Sequence, residues 1–559
     1  MQTRLRQLSM SLAIAMALFI GWTAAAHATT YYVSPDGDDS NSGLAESQPW
    51  GTFSRAWQDL GPGDTLVLLD GVYYESFVAE QDGEPGNPIT IRARNDGKAI
   101  IDGEYQRTPV SLGSTIVRGN HFVIEGIVAR NSNDSVFQVR TQDVVLRRVS
   151  GYNANVDANT DVFTLWGKDI LLEDCIAAGT GRKMILIFMS ENVTVRRCFT
   201  QWERWDGKGF CAAGWPAGSG VNIYNSAHVR VENAISTGPL PDRSIAINSN
   251  HDTVYSPGIE ILGSIAMGAG MNADGTVRDY GPAPNECGFE FNYDWPDQRA
   301  GFGAWGQGTI EGPVFRDLLA TNNAGLGLAI DKPYGVGVVS GIVDHITLYG
   351  NGIDAPEVDG GKGSEYRING EAVVTNSNIE GDPDQQGEGA RLHTRYIDGV
   401  LTDQPLWPWP MDDRAQAELG FDITGLIEPL LQGQPPVPVP GFSVSVQPTY
   451  QVIEPGSSTA VTVTVEPYGG FDQQVEVVVS NSSPDLTINP QDTLANPGDS
   501  VVLGIQHNQT SSASSEVAYS IPIRVSGGAK EQTVTAIIYL DSETVDLGIL
   551  FLPMVQDVP

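Results

Sequence analysis

The chain has 559 residues, 41% of them hydrophobic, and a formal net charge of −36. It is long enough for two or three domains and too acidic to hold nucleic acid, whose phosphates require clustered Lys and Arg. The same field repels a polyanion over distance unless a local basic groove or a bound cation offsets it.

Arg4 and Arg6 precede a mostly apolar run from Leu8 to Trp22, and Ala26-His27-Ala28 has the small-x-small form of a cleavage site. Residues 1–28 therefore read as a bacterial-type secretory signal. The run is short of the ~20 residues of a spanning helix, and no later stretch is long enough, so no transmembrane segment is expected in the mature chain. Cleavage would remove two positive charges, deepening the net charge to −38.

From Tyr31 to Tyr73 the pattern reads strand, turn, short helix, turn, strand. The helix would lay Phe53, Ala56 and Trp57 over the open end of a stack of repeats downstream. Six short segments make up those repeats, each with two apolar residues two positions apart, the mark of a strand with one buried face. The second apolar residue recurs at Ile124, Leu146, Leu172, Val195, Val231 and Ile261, at intervals of 22, 26, 23, 36 and 30. The next residue runs Glu125, Arg147, Glu173, Arg196, Glu232. Alternating charge fits strands lying side by side about 4.8 Å apart. A repeat of this length, one coil per turn, marks a solenoid.

The opening series YYVSPDGDDSNSG, PWGTFSRAW and GPGDTLVLLDGVYYE, with these repeats, resembles secreted right-handed parallel β-helix proteins of the pectate-lyase-like superfamily. The resemblance covers residues from about 30 to 380. It implies an all-β fold, a right-handed parallel β-helix with an N-terminal cap over 29–431. Later coils are expected at Val314–Asp317, Ile342–His345 and Val373–Asn376. Residues 390–431, interrupted by Leu406-Trp-Pro-Trp-Pro410, are expected to pack along or over the far end.

Residues 432–441 form a Pro-rich linker. Alternating short strands over 442–541 predict a small β-sandwich that resembles the immunoglobulin-like modules of bacterial secreted enzymes and surface proteins. Such a module leaves cell-surface association open. Residues 542–559 are an apolar tail. Of four cysteines, Cys175 and Cys198 occupy the same point of consecutive repeats, where they either bridge or stack as small buried residues; Cys211 and Cys287 lie in the long insertions.

A β-helix carries function outside, where long turns stand up from the stack. The step from Val195 to Val231 is 14 residues longer than the shortest and holds Trp202, Arg204, Trp205, Asp206 and Lys208. A larger excursion from about Met267 to Gly312 holds Asp294 and Trp295. Aromatic faces beside carboxylates suit sugar rings. Residues 182–208 carry six basic groups against three acidic ones. The charge ladder accounts for Arg196 and Arg197, but not for Arg182, Lys183, Arg204 or Lys208.

Lyases of the superfamily generally use Arg or Lys to take the proton beside a uronate carboxylate, often with calcium on that carboxylate. The resemblance thus implies Lys183, Arg204 and Lys208 as base and carboxylate-neutralising groups, and Arg182, Trp202, Trp205, Asp206, His251, Asp294 and Trp295 as substrate contacts. The family's calcium cluster of Asp on adjacent coils is not evident. Asp36, Asp38 and Asp39 form an acidic turn near the cap, a structural Ca2+ candidate. The hydrolases of the same fold need paired carboxylates, but Asn159-Thr160-Asp161 is followed by Val162, Gly-His-Gly is absent, and Arg367-Ile368 precedes Asn369. The leading expectation is an exported protein that binds and cleaves an acidic polysaccharide by β-elimination. The rivals are a non-catalytic surface or matrix scaffold and a glycoside hydrolase.

Overall fold

A computed structural model describes residues 28–113, 118–156, 158–204, 218–238, 243–251, 253–272, 276–277, 299–331, 337–353, 365–434, 440–448, 450–468, 471–479, 483–508, 518–527 and 530–540. Residues 1–27, which hold all but Ala28 of the expected signal, and the apolar tail lie outside them, as do Cys211 and Cys287.

The first half is a right-handed parallel β-helix of three long sheets. In each coil the chain passes from a first sheet of 12 strands to a second of 11 and a third of 10. The expected strands are the first sheet: Phe122–Glu125, Gln142–Arg147, Lys168–Glu173, Glu191–Arg196, Ala227–Glu232 and Glu260–Leu262 are consecutive neighbours. Ile124, Leu146, Leu172, Val195, Val231 and Ile261 pair one to the next in register. All six are enclosed, because a one-residue slip would turn each of them to water. The later coils extend the same sheet through Val314–Arg316, Gly341–Asp344 and Ala372–Thr375.

The alternating charges form the expected row. Arg147 reaches Glu125 at 3.0 Å and Glu173 at 2.9 Å, and Arg196 reaches Glu173 at 3.2 Å and Glu232 at 2.6 Å. Just beyond it each coil turns into the second sheet through one residue with positive φ: Arg148, Asp174, Arg197 and Asn233 lie between 50° and 54°. Arg197 donates back to Asp174 at 2.6 Å across this corner.

The Phe53–Ala56 helix caps the open end, with Thr52 Oγ1 accepting from Arg55 N. Phe53 stacks on Tyr73 and Trp57 tilts against Phe77 and Phe122. Cys175 and Cys198 are free, wholly buried thiols stacked in the core.

Residues 390–431 pack along the cylinder as a strap over the second sheet. Arg391 holds Asp317 at 2.8 Å, Tyr396 N donates to Asn233 Oδ1 at 2.7 Å, and Arg148 donates to Pro410 O at 2.9 Å. The helix Asp412–Glu418 puts Arg414 among the carbonyls of Arg148, Gly126 and Ile127, and the helix Ile423–Leu431 turns back. Leu419, Ile423, Ile427 and Leu430 share one apolar cluster with Tyr152, Ile176, Phe199 and Ile235. The second sheet is thus buried on both faces.

Beyond the linker, strands from Gly441 to Leu540 form a β-sandwich of a four-stranded and a five-stranded sheet around Phe442, Val463, Val477, Ile505, Ile523 and Ile538. No described helix is long and apolar enough to cross a membrane.

Candidate functional site

The long intervals fall at the same step of a coil, between a second-sheet strand and the third-sheet strand that follows it. Residues 205–217 and 239–242 join second-sheet strands to third-sheet strands, as do most of the residues between Met267 and Phe302 and those between Tyr349 and Tyr366. Each of these intervals precedes a strand of the third sheet, so the outer face of that sheet is the candidate site.

On the corner, Asp161 pairs in register with Lys183 and Lys183 with Ser219; the pairing of Val221 with Ile245 sets Arg243 across from Ser219. Asp161 and Lys183 therefore stand on adjacent coils, with Arg243 two coils beyond Lys183 and Ser219 between, and Asp161, Lys183 and Arg243 are 3 to 5% exposed. Burial pushes the Asp161 carboxyl up from its ordinary pKa, against the opposing fields of Lys183 and Arg182. Its Oδ2 accepts from Thr164 at 3.3 Å, while Oδ1 has no hydrogen-bond partner among the described residues. Arg182 donates to Asn159 Oδ1 at 2.6 Å. Gly303 is required beneath Arg243, since a Cβ there would lie 2.2 Å from its Cδ.

On the opposite edge an outward column runs Arg140, Trp166, Phe188, Tyr224, Asn248 and Trp305, one residue per coil. Phe188 pairs with Tyr224, Tyr224 with Asn248 and Asn248 with Trp305; Val139, Leu165 and Ile187 fix the earlier positions. Trp166 meets Phe188 edge-on at 5.1 Å and Phe188 tilts onto Tyr224 at 5.2 Å. The Arg140 guanidinium lies 5.7 Å from the Trp166 ring. Burial raises the Tyr224 phenol, opposed by the field of Arg182, which links the two edges of the sheet. Between them Asn222 is fully buried with Oδ1 unpartnered among the described residues. Beside the column a cleft of about 580 Å3 is lined by Asp82, Arg118, Arg140, Trp166, Lys168 and Glu191, with others.

The expected site residues divide. Lys183 and Arg182 lie together at the corner, but Lys183 is enclosed beside Asp161 instead of standing free. Arg204 ends the strand Phe199–Arg204 near the same corner; Lys208, Trp205, Asp206, Asp294 and Trp295 lie outside the described residues. Trp202 offers no sugar platform: it is 3% exposed and its indole donates to Gly181 O at 2.8 Å. The register of its strand turns it inward against the stack. His251 is exposed in the turn after Ile245–Ser249, on the column's edge.

Asp36, Asp38 and Asp39 do not fit a calcium. Both oxygens of Asp39 accept from Gly51 and Thr52, tying down the cap, and Asp38 accepts from Ser40 N. Among the described residues no group of three His, Cys, Asp or Glu has the geometry to hold a metal. The column escaped sequence reasoning, though Arg140, Trp166, Phe188 and Tyr224 each stand four or five positions ahead of the first apolar residue of the next repeat.

Residues 31–164 match a family model described as Pel9A-like, right handed beta helix region. Over 73 residues the chain is 36% identical to an uncharacterized protein, YwoF, of Bacillus subtilis (strain 168), covering 13% of this chain and 15% of that one. Over 137 residues it is 26% identical to pectate lyase L of Dickeya dadantii (strain 3937), covering 22% of this chain and 32% of that one. The chain thus spans less than a third of the length of these relatives. Among solved structures, pectate lyase Pel9A aligns with a TM-score of 0.40 and 18% identity, over 68% of this chain and 89% of that one. The stretch that matches the family model is similar to a Pel9A-like right-handed β-helix region and ends one coil before Lys183.

Proposed function

We propose that the chain is an exported carbohydrate-active protein that binds an acidic polysaccharide on the outer face of the third sheet and cleaves it by β-elimination. The observation that carries this reading is the corner row, where Lys183 stands on the coil after Asp161 and Arg243 two coils further on, in an otherwise acidic protein. Elimination needs a base at the proton beside the uronate carboxylate and positive charge on that carboxylate as the enolate develops. Lys183 takes the proton, Arg182 and Arg243 neutralise the carboxylate, and the released electron pair forms the carbon–carbon double bond. The glycosidic oxygen then leaves with a proton from water.

The enclosure of Lys183, 5% exposed beside Asp161, favours a second reading, because a general base must come within hydrogen-bond reach of the proton it takes. In that reading the β-helix is a non-catalytic surface or matrix scaffold that only binds the polysaccharide. Incubation with a panel of uronate polysaccharides, with and without calcium, separates them. Ultraviolet absorbance from the unsaturated product, lost in Lys183→Gln, supports elimination. Binding without any product supports the scaffold. Release of reducing ends without that absorbance means hydrolysis.

A further inference from the structure

One buried acid of the corner row has no part in the chemistry above. Asp161 is 3% exposed and opens its strand directly opposite Lys183, itself 5% exposed. The backbone locks the coils together at that point: Arg182 N donates to Thr160 O at 2.7 Å, and Ser219 N donates to Arg182 O at 3.3 Å. Asp161 N in turn donates to Ser135 Oγ at 3.1 Å on the preceding coil. The carboxyl so fixed is badly provided for as an anion. Thr164 Oγ1 donates to Oδ2 at 3.3 Å, while Oδ1 is buried with no hydrogen-bond partner among the described residues. A buried carboxylate short of donors sheds its charge by holding a proton.

The charged neighbours divide. Lys183 and Arg182 on the next coil favour the anion, and Asp134 on the coil before opposes it. Arg243 stands two coils beyond Lys183 on the same row. A guanidinium keeps its proton at all ordinary pH, so Lys183 is the cation facing Asp161 that can exchange one with it. An acid and an amine that face each other in an enclosed corner titrate as a pair. While Asp161 is ionised it holds the amine as an ammonium, which cannot accept a proton; once Asp161 is neutral, that hold is gone.

We propose that Asp161 and Lys183 share one proton, and that Asp161 is a positioning residue that sets the pH at which Lys183 becomes a neutral amine. The consequence for catalysis rests on the β-elimination reading; the shared proton does not.

The chain has seven lysines, so NMR of isotopically labelled lysine, with Lys183→Gln to assign the resonance, follows this group by itself. In the native protein the Lys183 resonance should move in two steps between about pH 4 and 11. In Asp161→Asn it should move in one, with a midpoint at least about one pH unit below the main step of the native protein. A single step in the native protein, or an unmoved midpoint in Asp161→Asn, overturns the proposal; if Asp161→Asn does not fold, the native titration alone decides. On a uronate polysaccharide that yields unsaturated product, the acid limb of rate against pH should move down by about one unit in Asp161→Asn. A rate that falls equally at every pH would make Asp161 merely structural and overturn its positioning role. If no polysaccharide yields product while the two-step titration is seen, the lyase reading fails and the shared proton stands.

Discussion

Arg196 Nε lies 2.6 Å from Glu232 Oε2, and the Glu232 side chain is wholly enclosed. These residues are 36 positions apart in sequence and one coil apart in space. The bond links two coils across the longest interval in the regular repeats. Arg196 also reaches Glu173 and, on the strap, Asp398.

Burial makes this pair costly to break. Arg196→Met leaves the buried Glu232 with Arg230, at 3.6 Å, as its remaining charged partner and should cost about 3 kcal/mol. Arg147 is 39% exposed, and Arg147→Met leaves Glu173 with two other arginines, so it should cost about 1 kcal/mol or less. Denaturant unfolding compares them; equal losses would contradict the ladder as a graded, burial-dependent device.

The ladder also sets a pH dependence. Burial alone would raise Glu173, but its bond from Arg147 and the fields of Arg197 and Arg147 outweigh that and hold it below the usual carboxylate range. A carboxyl depressed on folding contributes stability that is present above its unfolded pKa of about 4.3 and is lost as pH falls through the folded value. Unfolding midpoints should therefore fall on acidification below about pH 4, and Glu173→Gln, less stable at neutral pH, should show a flatter acid limb. An acid limb as steep as that of the native protein would count against Glu173.

Arg414 pins the strap. It is 5% exposed and donates to Ser150 Oγ at 2.6 Å, Asp96 at 2.8 Å and Arg148 O at 3.0 Å. Arg414→Met leaves those acceptors without their donor and should cost about 3 kcal/mol. Limited proteolysis should then cut within 390–431 faster than in the native protein. An unchanged cleavage rate would mean that the apolar cluster alone holds the strap.

The solenoid was legible because stacking admits only one register. Once Ile124 and Leu146 face the core, the residues after them must meet, and Glu125 and Arg147 reveal the pairing. The strap was less legible: Trp407-Pro408-Trp409-Pro410 reads as a strand breaker, and nothing local says that Arg414 will enter a row of carbonyls on coils far earlier in the chain. Trp202 misled because an aromatic near a long insertion looks like a loop residue, whereas Ala178 to Gln201 pairing carries its strand onto the buried second sheet. Trp166, Phe188 and Tyr224 become a column only after the register is known.

The thiols of Cys175 and Cys198 offer a check on core packing. Burial pushes the Cys198 thiol well above its ordinary pKa, so neither should react with iodoacetamide in the native state, and both should react on unfolding. Peptide mapping that finds the two joined as a disulfide would contradict the stacked arrangement.

The central claim is that an acidic polysaccharide is engaged on the outer face of the third sheet. Hydroxyl-radical footprinting, read by mass spectrometry with and without polygalacturonate, tests it directly. Trp166 and Met189 should become protected when the polysaccharide is bound, while Tyr74, 61% exposed at the capped end, should react as before. Trp166 and Met189 reacting equally in the bound and free protein would contradict engagement across the outer face of the third sheet.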